Sequence, residues 1–255
     1  MIKYSVLTYN FGKYEQLYEI PQNAIDSEIE YVYVTDDDSL KSDTWKIVYV
    51  DYLKGDAFDK SLQIRYNPFK YVSTDIVLKI DGSVGIINNV KPLFEIFEKY
   101  GYDAAVMPHF LRNTITDEYD VWVGGRDYPR EQANKCIDFI KRLGYDLNYK
   151  GLYETSISIQ KRDSFNITCN QLTYAFSKIL ATSPNTIERI DQILYSVVLN
   201  HFYSDKNILP LSHDIFCHKE SNKYFKHYAH GKKDEYIYYP FIETQYLFNK
   251  PIIFR

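Results

Sequence analysis

The tripeptide Asp81-Gly82-Ser83 is the first place in this 255-residue chain where chemistry can be read. It follows the apolar run Asp75 to Ile80 (DIVLKI), so an aspartate leaves the end of a strand with a glycine behind it. Glycine there lets the backbone turn and lets a ligand come close. Such a carboxylate can hold a ribose hydroxyl or a divalent cation, or it can simply accept backbone N–H groups in a turn. His109 follows Pro108 where the chain leaves its fifth strand. An imidazole there can bind an acceptor or exchange protons near neutral pH, or it can be structural. Glu154 opens the run ETSISIQ and reads either as a base or as a strand-edge charge. Asp191 lies about 70° from the centre of a helical stripe made by Ile187, Ile190, Leu194, Val197 and Val198. That half-buried shoulder leaves two readings, a group that orients a bound hydroxyl or a helix-surface aspartate paired with a lysine.

These residues need elements to position them. Ile2 to Leu7 reads as a strand that ends at Thr8-Tyr9-Asn10, and Glu30 to Thr35 as one that ends at Asp36. Lys46 to Val50, Asp75 to Ile80 and Ala104 to Met107 read as three more. Val90, Leu93, Phe94, Phe97 and Tyr100 recur at helical spacing between the last two. Strands alternating with helical stretches predict an α/β fold whose sheet has parallel members and flanking helices. Ligands of such sheets sit beyond the carboxyl ends of the strands, where Thr8, Asp36 and Asp81 are expected. The second half is more helical. One stripe runs from Ala133 to Leu143 and closes at Gly144, a second runs from Leu172 to Leu180, and a third holds Asp191. The chain reads as a single domain with a C-terminal segment that wraps back over it.

Composition narrows the function. Lys+Arg total 30 against Asp+Glu 34, a net charge of −4, so no basic excess drives binding to a nucleic-acid backbone. Aromatic residues reach 17%, with 26 tyrosines. A flat ring with a polar tip suits stacking on sugars or bases, although AT-rich codon usage explains the same count. Cys136, Cys169 and Cys217 are widely spaced and form no C-x-x-C pair, which predicts a reducing compartment. No apolar run approaches about 18 residues and the N-terminus shows no signal-peptide core. A cytoplasmic protein, at most peripheral on the inner membrane face, is the expectation. HExxH, G-x-S-x-G, Walker A and paired CxxC patterns are absent.

A set of short pieces, in order, carries a resemblance. They are Tyr33-Val34-Thr35-Asp36, Trp45-Lys46-Ile47-Val48, Arg65 and Lys70 ahead of Asp81-Gly82, His109 and Arg112 with Glu118, Gly151-Leu152-Tyr153-Glu154, and Arg189-Ile190-Asp191-Gln192. Together they resemble a GT-A glycosyltransferase. More specifically, they resemble a family of glycosyltransferase-like proteins found in bacterial polysaccharide clusters and in plants, where it is tied to mucilage and cell-wall work. The resemblance implies a GT-A-like mixed sheet, a nucleotide-binding half at 1–110, and an acceptor half with the C-terminal segment at 111–255. It implies a donor site of Thr8, Tyr9, Asp36, Arg65, Lys70, Asp81, Gly82, Ser83 and Arg112, with Asp191, Glu154 and His109 as candidate catalytic groups. The stretch His227 to Lys233 is similar to the His/Gly/Lys element of retaining GT-A enzymes. That likeness implies Mn²⁺ or Mg²⁺ on Asp81 and His230, and Lys232 on the diphosphate. Two positions depart from the pattern. Ile190 interrupts the Arg-Asp-Gln run, and Ser83 stands where the D-x-D-type motif has its second carboxylate, although a hydroxyl is a poor ligand for a hard cation.

The activity implied is sugar transfer from a UDP-linked donor to a glycan or lipid-linked glycan of a bacterial surface polysaccharide, with galactosyl or N-acetylhexosaminyl transfer ranked first on frequency alone. Two other classes stay open. A sugar-nucleotide nucleotidyltransferase needs a Gly-rich phosphate loop, and only Phe11-Gly12-Lys13 is present. A non-catalytic glycan-binding protein would use the tyrosines.

Overall fold

A computed structural model describes residues 1–125, 130–180, 190–215, 223–228 and 236–237. Its central strand is β1, Tyr4–Asn10, in which every residue is buried. A strand covered on both faces has no solvent side to mark its end. Thr8, Tyr9 and Asn10 therefore continue β1, in parallel register with Tyr33, Val34 and Thr35 of β2 (Ile29–Thr35). The expected end at Leu7 is thus corrected: pairing with β2 overrides the polar side chains. The next strands are β3 (Lys46–Tyr49), β4 (Ile76–Ile80), β5 (Val84–Ile86), β6 (Ala104–Pro108), β7 (Tyr153–Lys161) and β8 (Ile208–Pro210). Seven of them form one sheet in the order β3-β2-β1-β4-β7-β6-β8. It is a mixed sheet. β7 runs antiparallel to both β4 and β6, whereas β1–β2, β2–β3, β1–β4 and β6–β8 are parallel. The reversal of β7 brings its N-terminal end, with Glu154, to the edge where β1 and β4 finish.

Helices flank the sheet: α1 (Ala57–Arg65), α2 (Lys91–Lys99), α3 (Ile115–Gly125), α4 (Arg130–Arg142), α5 (Ser164–Leu180) and α6 (Ile190–Val197). α1 follows Asp56, whose side chain accepts the Asp59 N–H as an N-cap. It buries only Leu62 and Ile64, so its apolar stripe is too thin to read from spacing. α3 opens on a reciprocal cap, with Asp117 N–H donating to Thr114 Oγ1 and Thr114 N–H to the Asp117 carboxylate, each at 3.0 Å. α4 ends before Gly144, whose φ of +79° is the left-handed conformation that closes a helix. α6 continues as a π-helical turn over Val198–Phe202. β9 (Phe225–Tyr228) and β10 (Tyr236–Ile237) come from the C-terminal segment, and β9 lies antiparallel on β5 in a small second sheet. Cys136 and Cys169 are buried free thiols, and Cys217 lies outside the described residues. No helix of the described residues is long and apolar enough to cross a membrane.

Candidate active site

A cleft of about 730 Å³ opens at the ends of β1 and β4. Its lining includes Tyr9, Asn10, Arg65, Asp81, Gly82 and Ser83 from the first half of the chain, and His109, Arg112, Glu118, Glu154 and Asp191 from later in it. The volume falls in the range of small-ligand sites.

Arg65 ties the cleft floor together. As the last residue of α1 it sits in a helix. Its Nε donates to Tyr9 Oη at 2.7 Å and its Nη2 to Asp81 Oδ1 at 2.8 Å. Its Nη1 donates to Thr155 Oγ1 at 2.9 Å and to Asp191 Oδ2. Burial works against its charge, but Asp81, Tyr9 and Asp191 outweigh it and raise its pKa well above the usual guanidinium value. Asp191 is only 2% exposed, not half-buried as its helix position suggests. Besides Arg65 it accepts from Tyr66 Oη at 3.2 Å. A carboxylate held by a guanidinium and a phenol is an anchor for Arg65. Ile187, expected to help fix it, and Arg189 lie outside the described residues. Below this group Lys79 is buried in β4, and its Nζ donates to the Arg65 carbonyl oxygen at 3.1 Å. Burial, with Arg65 nearby, lowers its pKa to about 7.

Glu154 is the carboxylate suited to proton transfer. It pairs with Met107 across an irregularity in the β6–β7 ladder: Val106 faces Ser158 and the next residue faces Glu154. Thr155, Ser156 and Ile157 thus have no partner on β6, and the bulge turns the start of β7 into the cleft. Glu154 is 8% exposed. Burial raises its pKa to about 7, against the lowering effect of donors from Phe110 N–H and Ser156 Oγ and of Arg112. Beside it, Arg112 donates through Nε to Glu118, which α3 presents and which is 1% exposed. His109 Nδ1 accepts the N–H groups of Leu111 and Arg112 at 3.2 and 3.1 Å, which fixes the ring plane.

Several expected donor-site residues lie elsewhere. Thr8 is buried inside β1 and, by strand alternation, faces away from Tyr9 and the cleft. Asp36 follows β2, but Lys60 Nζ at 2.7 Å and Gly12 N–H at 2.9 Å take its carboxylate. Thr8, Asp36 and Asp81 therefore share a sheet edge without surrounding one cleft. Lys70 is exposed, over the rings of Tyr52 at 4.5 Å and Tyr71 at 5.8 Å, and does not line the cleft. His230 and Lys232 lie outside the described residues. His227 of β9 does line the cleft, because Val84 pairs with it. Sequence reasoning passed over three participants. Thr155 and Tyr66 carry no signal. Lys79 does, as the one charge inside an apolar strand.

Gly82 closes the turn against the cleft. A Cβ there would lie 2.8 Å from the Tyr9 carbonyl oxygen, which is backbone and cannot swing aside. Gly82→Ala is expected to cost about 1–3 kcal/mol, read as a lower melting temperature, and to displace Asp81 from Arg65. An unchanged melting temperature would show that the turn has slack.

A divalent cation, implied by the resemblance, finds a poor set of ligands among the described residues. Asp81 Oδ1 already takes Arg65 and the Tyr9 hydroxyl, the latter at 3.1 Å. Among the described residues no three His, Cys, Asp or Glu side chains converge as a metal site requires.

No protein-family model matches the chain, and no curated protein matches it. Among solved structures it is similar to mouse xyloside xylosyltransferase 1 in its apo form. The two share 9% identity over 83% of this chain and 86% of that one, with a TM-score of 0.43.

Proposed function

We propose that the chain is a glycosyltransferase that moves a hexosyl group from a nucleotide sugar to a glycan hydroxyl. The observation that carries this reading is Glu154, a buried carboxylate facing the cleft with a pKa near 7 and no guanidinium or ammonium bonded to it among the described residues. A base poised there suits an acceptor hydroxyl at neutral pH. In the reaction the acceptor oxygen forms a bond to the anomeric carbon, and the bond from that carbon to the diphosphate oxygen breaks. Glu154 takes the hydroxyl proton, and the nucleoside diphosphate leaves with the electron pair. One displacement of this kind inverts the anomeric centre. Sugar transfer asks for little covalent chemistry from the protein beyond positioning and charge placement. Arg112 and His109 stand where they can orient the acceptor, and Tyr9, Asp81 and Ser83 where they can meet the donor.

Within this reading the donor is UDP-linked galactose or N-acetylhexosamine. The acceptor is a growing bacterial surface polysaccharide, handled in the cytoplasm at the inner membrane face. The motif resemblance supports the nucleotide-linked donor and the polysaccharide acceptor, the choice of sugar rests on how common such transfers are, and the location rests on composition. The test is a melting-temperature screen against UDP, GDP, CMP and dTDP, followed by transfer assays with the sugar form of whichever nucleotide binds. A nucleotide at 100-fold its Kd is expected to add about 2.7 kcal/mol of stability. Binding of free glycan with no response to any nucleotide would replace this reading with a glycan-binding protein.

A further inference from the structure

The residues around Asp81 disagree with the cation that the motif resemblance implies. We propose that Arg65 is itself the cation of this site, its guanidinium filling the gap between Asp81 and Asp191 that a divalent ion would otherwise bridge. The proposal deepens the glycosyl-transfer reading, and only its nucleotide measurement rests on that reading.

Four of the six carboxylates that line the cleft are already committed. Asp81 and Asp191 both bond Arg65, Glu118 bonds Arg112, and Asp56 caps α1. The planar fork of a guanidinium meets two carboxylates at once, with the directional N–H donors that a spherical ion lacks. Of the five N–H groups on Arg65, one goes to Tyr9, one to Thr155, one to Asp191 and one to Asp81. One on Nη2 has no partner among the described residues, and Arg65 lines the cleft. The side chain is also fixed from behind, because Lys79 Nζ holds the carbonyl of the same residue. A hard dication prefers six or more oxygen ligands. Here it would have to displace a buried arginine or settle beside its positive charge. Removing the guanidinium has the opposite consequence, since it leaves Asp81 and Asp191 within one side chain's reach of each other, with only the Tyr9 and Tyr66 hydroxyls as side-chain donors among the described residues and with Glu154 and His227 on the same cleft.

The experiment measures Mn²⁺ binding by water-proton relaxation and UDP binding by calorimetry, in EDTA and in MnCl₂, on the full chain and on Arg65→Met. The wild type is expected to take up no Mn²⁺ below the millimolar range and to bind UDP equally in both buffers. Arg65→Met is expected to bind Mn²⁺ at least about tenfold more tightly than the wild type, since it exposes two hard oxygen ligands. If that variant is unfolded in EDTA, a melting transition restored by Mn²⁺ is the same result. Micromolar Mn²⁺ binding to the wild type that Asp81→Asn abolishes overturns the proposal, as does UDP binding that requires Mn²⁺. So does an Arg65→Met protein with no gain in Mn²⁺ affinity and no stabilisation by it. Should UDP bind in neither buffer, the UDP-linked donor of the glycosyl-transfer reading fails, and the Mn²⁺ comparison alone decides the role of Arg65.

Discussion

Glu154→Gln is expected to lower turnover by about 10²–10⁴-fold while making the protein more stable above neutral pH. Both effects follow from burial. It raises this carboxyl from its ordinary 4.5 to about 7. As a base the group works ionised, so wild-type activity rises with pH through about 7 and levels off above it. Stability runs the other way. Between those two values the folded chain keeps a proton that the unfolded chain has lost, so stability present below the lower value is lost as pH rises through the higher one. A shift from 4.5 to about 7 corresponds to about 3 kcal/mol at 1.36 kcal/mol per unit. Glutamine keeps an oxygen for the Phe110 N–H and the Ser156 hydroxyl but has no charge to bury. At pH 8 the variant is therefore expected to melt about 5–10 °C above the wild type, and at pH 4 close to it. Melting curves at both pH values and one pH–rate profile check this. Unchanged turnover would make Glu154 a strand-edge charge.

Arg65→Met has the largest expected effect on stability. Asp191 is 2% exposed, and the substitution leaves its charge buried with only the Tyr66 hydroxyl for support. Breaking a buried pair from one side costs about 3–5 kcal/mol, or about 10 °C in melting temperature for a chain of this size. Adding Asp191→Asn to Arg65→Met removes the stranded charge and is expected to recover at least half of the loss. Thermal melts of the two single variants and the double form a closed cycle, in which strict additivity would mean that the two side chains do not interact. Asp191→Asn alone separates an anchor from a base: an anchor lowers the melting temperature and leaves transfer per folded molecule close to normal.

The strands of the parallel half were legible because two-sided burial writes continuous apolar runs, as in IKYSVL, EYVYVT and DIVLKI. The same burial hid where they end, so Thr8 was expected in the cleft and lies inside β1. The helix carrying Arg65 was not legible, because α1 buries only Leu62 and Ile64 and draws its start from the Asp56 cap. Without that helix Arg65 and Lys70 look equivalent, two cations ahead of Asp81. In the fold, one is buried between carboxylates and the other lies exposed over tyrosine rings. Glu154 and Asp191 stood out because the family resemblance and the local pattern both put them near the site. Their division of labour was not legible, because it depends on which of them Arg65 reaches. That is set by the sheet order and by the bulge in β7, and neither leaves a local mark in the sequence.

The reversed strand also bears on how the chain is made. β4 is flanked by β1 and β7, and β7 begins at residue 153. While a ribosome is still extending the first half, β1 can dock on one side of Ile76–Ile80, but the other side has no neighbour. The nascent chain then carries an open apolar edge of the kind that recruits strands from other molecules. The charged side chain in that edge is Lys79, and a lysine on an unpaired strand opposes such recruitment. The residue that sits uncomfortably in the finished interior, its pKa pulled down to about 7, is thus placed to keep unfinished copies of the protein apart.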